Sequence, residues 1–83
     1  MKEDEKQFLI LVYEKCKRYG DNKEKYFARD LINSEYCTIH HKRCWYLLEK
    51  WTGQGLYDYG VTLDLGWLTD KGVEKAKELL NEN

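Results

Sequence analysis

The chain has 83 residues, 42% of them hydrophobic and 14% aromatic, and its formal net charge is −1 at pH 7. This length predicts a single domain over residues 1–83 with one modest core, and it excludes a second domain. A charge so close to zero excludes a global attraction to nucleic acid or to acidic membranes, so any basic footprint has to be local.

The first predicted element is a helix over residues 3 to 19, because apolar residues recur there at helical spacing. Gly20 follows directly and is the expected left-handed stop of this helix. The inner face of the helix is expected to consist of Phe8, Leu9, Val12, Tyr13, Cys16 and Tyr19.

Two further helices are predicted between the first helix and the hairpin. Tyr26 and Phe27 either add a very short strand or open the second helix, which is predicted over residues 28 to 33. After a turn at residues 34 to 36, a longer third helix is predicted over about residues 38 to 52. Three helices are therefore expected ahead of any hairpin.

A short β-hairpin and a closing helix are predicted in the remainder of the chain. Residues 56 to 59 and 63 to 65 alternate apolar and polar side chains, with Gly60 available for the bend between them. Thr69 is a good N-cap, and Asp70 places a negative charge where the helix dipole favours it, so a helix is expected to begin at about Asp70. Its apolar stripe consists of Val73, Ala76, Leu79 and Leu80.

The run Leu68-Thr69-Asp70-Lys71-Gly72 is similar to a signature that follows the second wing strand in many bacterial regulators, the MarR and PadR types among them. Residues 28 to 31, and Leu48 and Trp51 followed by Gly55-Leu56, match this pattern more weakly. Over nearly its whole length the chain resembles the winged helix-turn-helix family. The resemblance implies a small α+β fold with a three-helix core, a wing of two or three strands and a C-terminal helix.

DNA binding is the function that this resemblance implies, with the third helix in the major groove and the wing against the backbone or minor groove. The chain would then be a bacterial or phage transcription regulator, and a homodimer is expected because one recognition helix reads only a short half-site. Thr38 would bind a phosphate at the helix N-terminus, the basic residues would supply charge and Tyr46 would contact a base or sugar. The candidate contacts to double-stranded DNA are Thr38, His40, Lys42, Arg43, Tyr46 and Lys50.

The predicted wing departs from the family pattern. Residues 51 to 70 contain no lysine or arginine and three aspartates, whereas DNA-contacting wings carry basic residues that contact phosphates. The alternative function is a protein interaction module that uses an acidic, apolar wing without binding DNA, with a second copy of the chain as one conceivable partner. Apolar residues of this wing either contact that partner or shield the core. They include Tyr57, Tyr59, Val61 and Leu63.

Cys37, His40, His41 and Cys44 share one face if the third helix begins early, and Cys16 would complete a tetrahedral zinc site with three of them. Several ligands on one straight helix do not easily surround a single ion, and buried free cysteine is common. Packing is therefore favoured over zinc for Cys16 and Cys44, and no cofactor is expected. Cys37, His41 and Cys44 remain the metal candidates.

Two broad classes of function find no support in the sequence. The chain has no phosphate loop, no cofactor fingerprint and no third group to orient a Cys/His pair, so we expect no catalysis. The apolar run at residues 8 to 13 is too short to span a bilayer and lacks a signal cleavage pattern. The odd number of cysteines, three, fits a reducing compartment, so we expect a cytoplasmic protein.

Overall fold

The computed structural model describes residues 1–16 and 26–81. Within these ranges the chain forms an α+β fold of four α-helices and one two-stranded antiparallel hairpin, as predicted in outline. The elements are α1 (Glu3–Lys15), α2 (Ala28–Ile32), α3 (His41–Gln54), β1 (Tyr57–Asp58), a 3₁₀ turn (Leu63–Leu65), β2 (Trp67–Leu68) and α4 (Asp70–Asn81).

Helix α1 is shorter than predicted. It ends at Lys15 because Cys16 adopts an extended backbone with ψ of 147° and forms a parallel bridge with Tyr26. The Tyr26 N–H donates to the Lys15 carbonyl at 2.8 Å, so Tyr26 forms a single bridge and no strand, whereas Phe27 is the N-cap that opens α2. The predicted glycine stop at Gly20 lies outside the described residues, as does Tyr19.

The core contains buried side chains of all four helices and of the hairpin. Phe8 on α1 is fully buried and stacks on Trp51 of α3 with ring centroids 5.4 Å apart. Helix α4 packs mainly along α1, and its stripe buries Ala76 and Leu79. Burial of these large apolar side chains supplies the main stabilisation of so small a domain.

Helix α3 begins at His41, so the prediction that it begins at about residue 38 is wrong. His40 is the N-cap, and its Nδ1 accepts from the backbone N–H of Lys42 at 3.2 Å. The chain before it forms a turn around Ser34, whose hydroxyl donates to the Leu31 carbonyl at 2.7 Å. This turn was predicted, but the backbone at His40 is not helical, with ψ of 137°, so α3 does not extend back to Thr38 and Thr38 does not lie at the helix N-terminus.

The hairpin also differs from the prediction. Strand β1 pairs with Trp67–Leu68, whereas the predicted second strand, residues 63 to 65, forms the 3₁₀ turn. The buried Tyr57 hydroxyl explains this arrangement, because it donates to the Leu63 carbonyl at 2.7 Å and accepts from the Gly66 N–H at 3.1 Å. The Tyr57 side chain therefore holds the turn against the hairpin. We call residues 57–68 the wing.

The junction between the wing and α4 is built as predicted at Thr69. Its hydroxyl oxygen accepts from the Gly72 N–H at 3.1 Å and donates to the Gly55 carbonyl at 2.6 Å, while Lys71 Nζ donates to the Gln54 carbonyl at 3.2 Å. A Cβ atom on Gly72 would meet the backbone carbonyl of Leu56. The motif thus fastens the first turn of α4 directly to the end of α3.

Candidate functional surfaces

Helix α3 presents one face to the core and one to solvent. Cys44, Leu47, Leu48 and Trp51 are buried. The opposite side, which we call the outer face of α3, consists of Lys42, Trp45, Tyr46, Glu49 and Gly53. It carries one basic and one acidic side chain, and the Tyr46 side chain is its most exposed aromatic at 54%. The outer face is therefore close to neutral.

Arg43 lies between this outer face and α1, and its guanidinium carbon is 5.3 Å from the centroid of the Tyr46 ring. Its Nε donates to Asp4 Oδ2 at 2.9 Å and its Nη2 donates to Oδ1 at 3.3 Å, which is the bidentate geometry that suits a carboxylate. The hydrogen bond from Arg43 lowers the pKa of Asp4, and the same bond raises the pKa of Arg43. The Arg43 guanidinium stays charged and forms an ion pair with a carboxylate of its own chain.

Lys50 is held in the same way by a buried carboxylate. Glu5 is 1% exposed, and its Oε1 accepts from Lys50 Nζ at 3.0 Å while its Oε2 accepts from Trp51 Nε1 at 2.9 Å. Burial raises the pKa of Glu5, but the hydrogen bonds from Trp51 and Lys50 outweigh it, and the pKa lies below its ordinary value. We call Asp4, Glu5, Arg43, Lys50 and Trp51 the α1–α3 seam.

Glu5 was not among the predicted site residues, although its position in the sequence indicates its role. Glu5 lies three and four residues before Phe8 and Leu9 and seven before Val12, so it belongs to the apolar stripe of α1. A charged residue on such a stripe is rarely buried without a partner, which makes a buried ion pair the expected interpretation.

The six residues predicted to contact DNA do not share one surface. Lys42 and Tyr46 lie on the outer face of α3, whereas Arg43 and Lys50 belong to the α1–α3 seam. His40 caps the helix, and Thr38 is exposed in the segment before it.

Arg29 of α2 is also engaged by carboxylates. Its Nη1 lies 3.5 Å from Asp64 Oδ2 in the wing, and its Nε lies 3.8 Å from Asp30 Oδ1. Because the Arg29 side chain is half exposed, this pair contributes little to stability, but it balances the charge of Asp64 with a residue of α2.

The wing exposes apolar side chains. Val61 is 89% exposed, and Tyr59 and Leu65 are each 38% exposed. Asp58, which is also exposed, accepts from the Tyr59 N–H at 2.8 Å. We call Asp58, Tyr59, Val61 and Leu65 the wing surface. Tyr57 and Leu63 were also considered as contacts to a protein partner. They do not belong to the wing surface, because Tyr57 is buried and Leu63 is half-buried.

Two of the candidate metal ligands are neighbours in space. The Sγ atoms of Cys37 and Cys44 are 3.6 Å apart, and each lies 3.7 Å from the carbonyl oxygen of Ile39. Burial raises the pKa of the Cys44 thiol to about 12. His41 is exposed on the first turn of α3, and residues 1–16 and 26–81 contain no group of three or more side chains arranged to hold a metal ion.

Comparisons of the chain with family models, curated proteins and solved structures found no match. Within the described ranges, none of the helices has both the length and the apolar character needed to cross a bilayer. We therefore derive a function from the charge and exposure of the surfaces above.

Proposed function

We propose that this chain is a small winged-helix domain that binds a protein partner through its wing surface. The observation that carries the proposal is the pairing of two candidate DNA-binding cations, and of Arg29 on α2, with carboxylates of the same chain. These pairs are Arg43 with Asp4, Lys50 with Glu5 and Arg29 with Asp64. Phosphate contacts supply most of the affinity for DNA, and each of these cations has to leave its carboxylate before it contacts a phosphate, which is most costly where the carboxylate is the buried Glu5.

The element order supports the winged-helix part of the proposal. A short helix and a longer one are followed by a hairpin and then by a closing helix that begins at Thr69. The hydrogen bonds from Thr69 and Lys71 to the last residues of α3 give the Leu-Thr-Asp-Lys-Gly motif a structural role at this junction.

Energetics favour leaving the seam intact. Turning Lys50 toward a phosphate would leave the Glu5 carboxylate buried with only the Trp51 donor, and breaking a buried ion pair costs about 3 to 5 kcal/mol. An exposed ion pair contributes only about 0 to 1 kcal/mol. Lys50 is therefore better explained as a structural residue than as a DNA contact.

The wing surface has the composition of a protein contact. It places Tyr59, Val61 and Leu65 in one short segment, next to the exposed carboxylate of Asp58 and without a basic residue. An exposed apolar segment of this kind is a candidate interaction site. The partner that fits them has an apolar surface bordered by lysine or arginine.

The proposal is tested by site-specific cross-linking in cells. A photoreactive benzoylphenylalanine replaces Val61 in one variant and Tyr46, on the outer face of α3, in a matched control. We expect a discrete protein adduct from position 61 that is lost when Tyr59→Lys and Leu65→Lys are added, and none from position 46. A protein or DNA adduct confined to position 46 contradicts the proposal.

A second candidate, DNA binding, is favoured by one residue. Lys42 is exposed on the outer face of α3 beside Tyr46 and forms no ion pair with any described residue. If α3 reads DNA, Lys42→Ala weakens binding and Lys77→Ala, an exposed change on α4, does not. Asp4→Asn releases Arg43 from its ion pair. If α3 reads DNA, this change strengthens DNA binding, whereas the proposed protein contact at the wing predicts no such effect.

A further inference from the structure

We infer that Cys37 and Cys44 are a reversible dithiol–disulfide pair, oxidised by low-molecular-weight disulfides such as oxidised glutathione. This inference does not depend on the partner of the wing surface. It rests on the positions of the two sulfur atoms, on the unequal exposure of the two side chains and on the segment that connects them.

The two sulfur atoms are already in contact. Their separation is 3.6 Å, so bond formation at the usual length of about 2.05 Å requires them to approach by about 1.6 Å. The Cys37 and Cys44 thiols both point to the carbonyl oxygen of Ile39, at 3.7 Å each, so the two side chains converge on one place.

The backbone permits this approach. Cys44 is fixed in α3, whereas Cys37 lies in the irregular segment of residues 33–40, between α2 and α3. That segment is held by turn hydrogen bonds, such as the one from the Cys37 N–H to the Ser34 carbonyl at 3.3 Å, and not by a helical ladder. A side-chain rotation with a small backbone shift at Cys37 therefore suffices.

Unequal exposure decides the order of the reaction. Cys44 is fully buried, and burial disfavours its thiolate, whereas Cys37 is partly exposed to solvent. An external disulfide therefore reaches Cys37 first. Cytosolic disulfides are usually transient and redox-sensing, so a pair of this kind is compatible with a reducing compartment.

The exchange occurs in two balanced steps. The Cys37 thiol loses its proton to water, and its sulfur attacks one sulfur of oxidised glutathione, which releases one glutathione thiolate and leaves a mixed disulfide. The Cys44 thiolate, after losing its proton, attacks Cys37 Sγ and displaces the second glutathione. Two thiols of the chain are thereby oxidised, the external disulfide is reduced, and the two released thiolates take up the two protons.

The expected consequence is a cross-link across the turn that precedes α3. It ties the segment before His40 to the first turn of the helix and restricts the unfolded chain. We therefore expect the thermal midpoint of the oxidised protein to exceed that of the reduced protein, with full reversal by dithiothreitol.

Tryptic mapping tests the pair directly. The full chain is incubated with oxidised glutathione in native buffer, its remaining thiols are alkylated, and it is digested with trypsin. Cleavage after Lys42 and Arg43 separates the two cysteines, so the disulfide links the peptides of residues 30–42 and 44–50. We expect this linked product, and an intact mass lower by two hydrogen atoms.

Two variants and one condition provide the controls. Cys37→Ser changes a half-buried side chain and removes the linked product, whereas Cys16→Ala retains it. In urea the native selectivity is lost, and pairs that include Cys16 appear. Glutathione adducts without the linked peptides, a native pair that includes Cys16, or equal pairing in urea and in native buffer each overturn the inference.

Discussion

The α1–α3 seam and the wing surface use charge in opposite ways. In the seam, Asp4 and Glu5 meet Arg43 and Lys50 at hydrogen-bonding distance, and the Glu5 carboxylate is removed from water. In the wing no basic residue is present, and an aspartate stands exposed beside apolar side chains. Basic residues on a helix therefore indicate a DNA contact only when the rest of the fold leaves them free.

The largest expected effect is that of removing the buried carboxylate of the seam. Glu5→Ala leaves the buried Trp51 Nε1 without its acceptor and opens a cavity in the seam, so we expect the free energy of unfolding to fall by about 2 to 4 kcal/mol. Urea denaturation measures this loss.

Glu5→Gln is the matched control for the seam. Its amide oxygen can still accept a hydrogen bond, so the loss of stability should be clearly smaller than that of Glu5→Ala. A loss below about 0.5 kcal/mol for Glu5→Ala, the usual range for surface substitutions, would mean that the seam does not hold its cations.

The next largest effect is expected at Gly72, where the first turn of α4 packs against the chain that enters the wing. Gly72→Ala forces a Cβ atom against the Leu56 carbonyl, and overpacking of this kind costs about 1 to 3 kcal/mol. Gly53→Ala is its control, because that glycine also lies in a helix and nothing lies within 4 Å of its added Cβ. The second change should stabilise by about 0.5 to 1 kcal/mol. Equal shifts in the thermal midpoint for both variants contradict the packing described at Gly72.

A smaller loss is expected when the wing loses its internal hydroxyl. Tyr57→Phe removes the acceptor of the buried Gly66 N–H and the donor to the Leu63 carbonyl. We expect a loss of about 1 to 2 kcal/mol, together with faster amide exchange at Gly66. Unchanged exchange at this amide in the variant, measured by NMR, contradicts a wing held by Tyr57.

The smallest effect is a dependence of stability on pH that arises in the seam. The pKa of Glu5 lies below its ordinary value of 4.5, so its contribution is fully present above that value and is lost as the pH falls through the folded-state pKa. Urea midpoints measured from neutral to acidic pH should fall below about pH 4.5 more steeply in the wild type than in Glu5→Gln. If the urea midpoints of the two proteins fall in parallel with pH, Glu5 is not the cause of the pH dependence.

Local signals predicted the closing helix and its cap well. Thr69, Asp70 and the stripe after them interact within a few residues of one another, so their sequence neighbours determine the outcome. The start of α3 and the position of the second strand were predicted wrongly because other local hydrogen bonds form at these two places. His40 caps α3, so the helix begins at His41, and the alternation at residues 63–65 belongs to a 3₁₀ turn tied to Tyr57.

The candidate site was less predictable than the fold because its decisive contacts are distant in sequence. Asp4 and Arg43 are 39 positions apart, and Glu5 and Lys50 are 45 apart, so no local pattern on α3 reveals that these cations are paired. The spacing of Cys37 and Cys44 did bring them together, but across a turn and not along one helix as assumed.

The most direct measurement of whether α3 retains a DNA surface is fluorescence anisotropy of a labelled random DNA duplex titrated with the wild-type protein at ~50 mM salt. Because Arg43 and Lys50 are held in the seam, we expect no salt-dependent binding at protein concentrations up to about 10 µM. Micromolar binding that weakens steeply with salt, and that Arg43→Ala reduces as strongly as Lys42→Ala does, would contradict the assignment of Arg43 to the seam and restore DNA as the ligand.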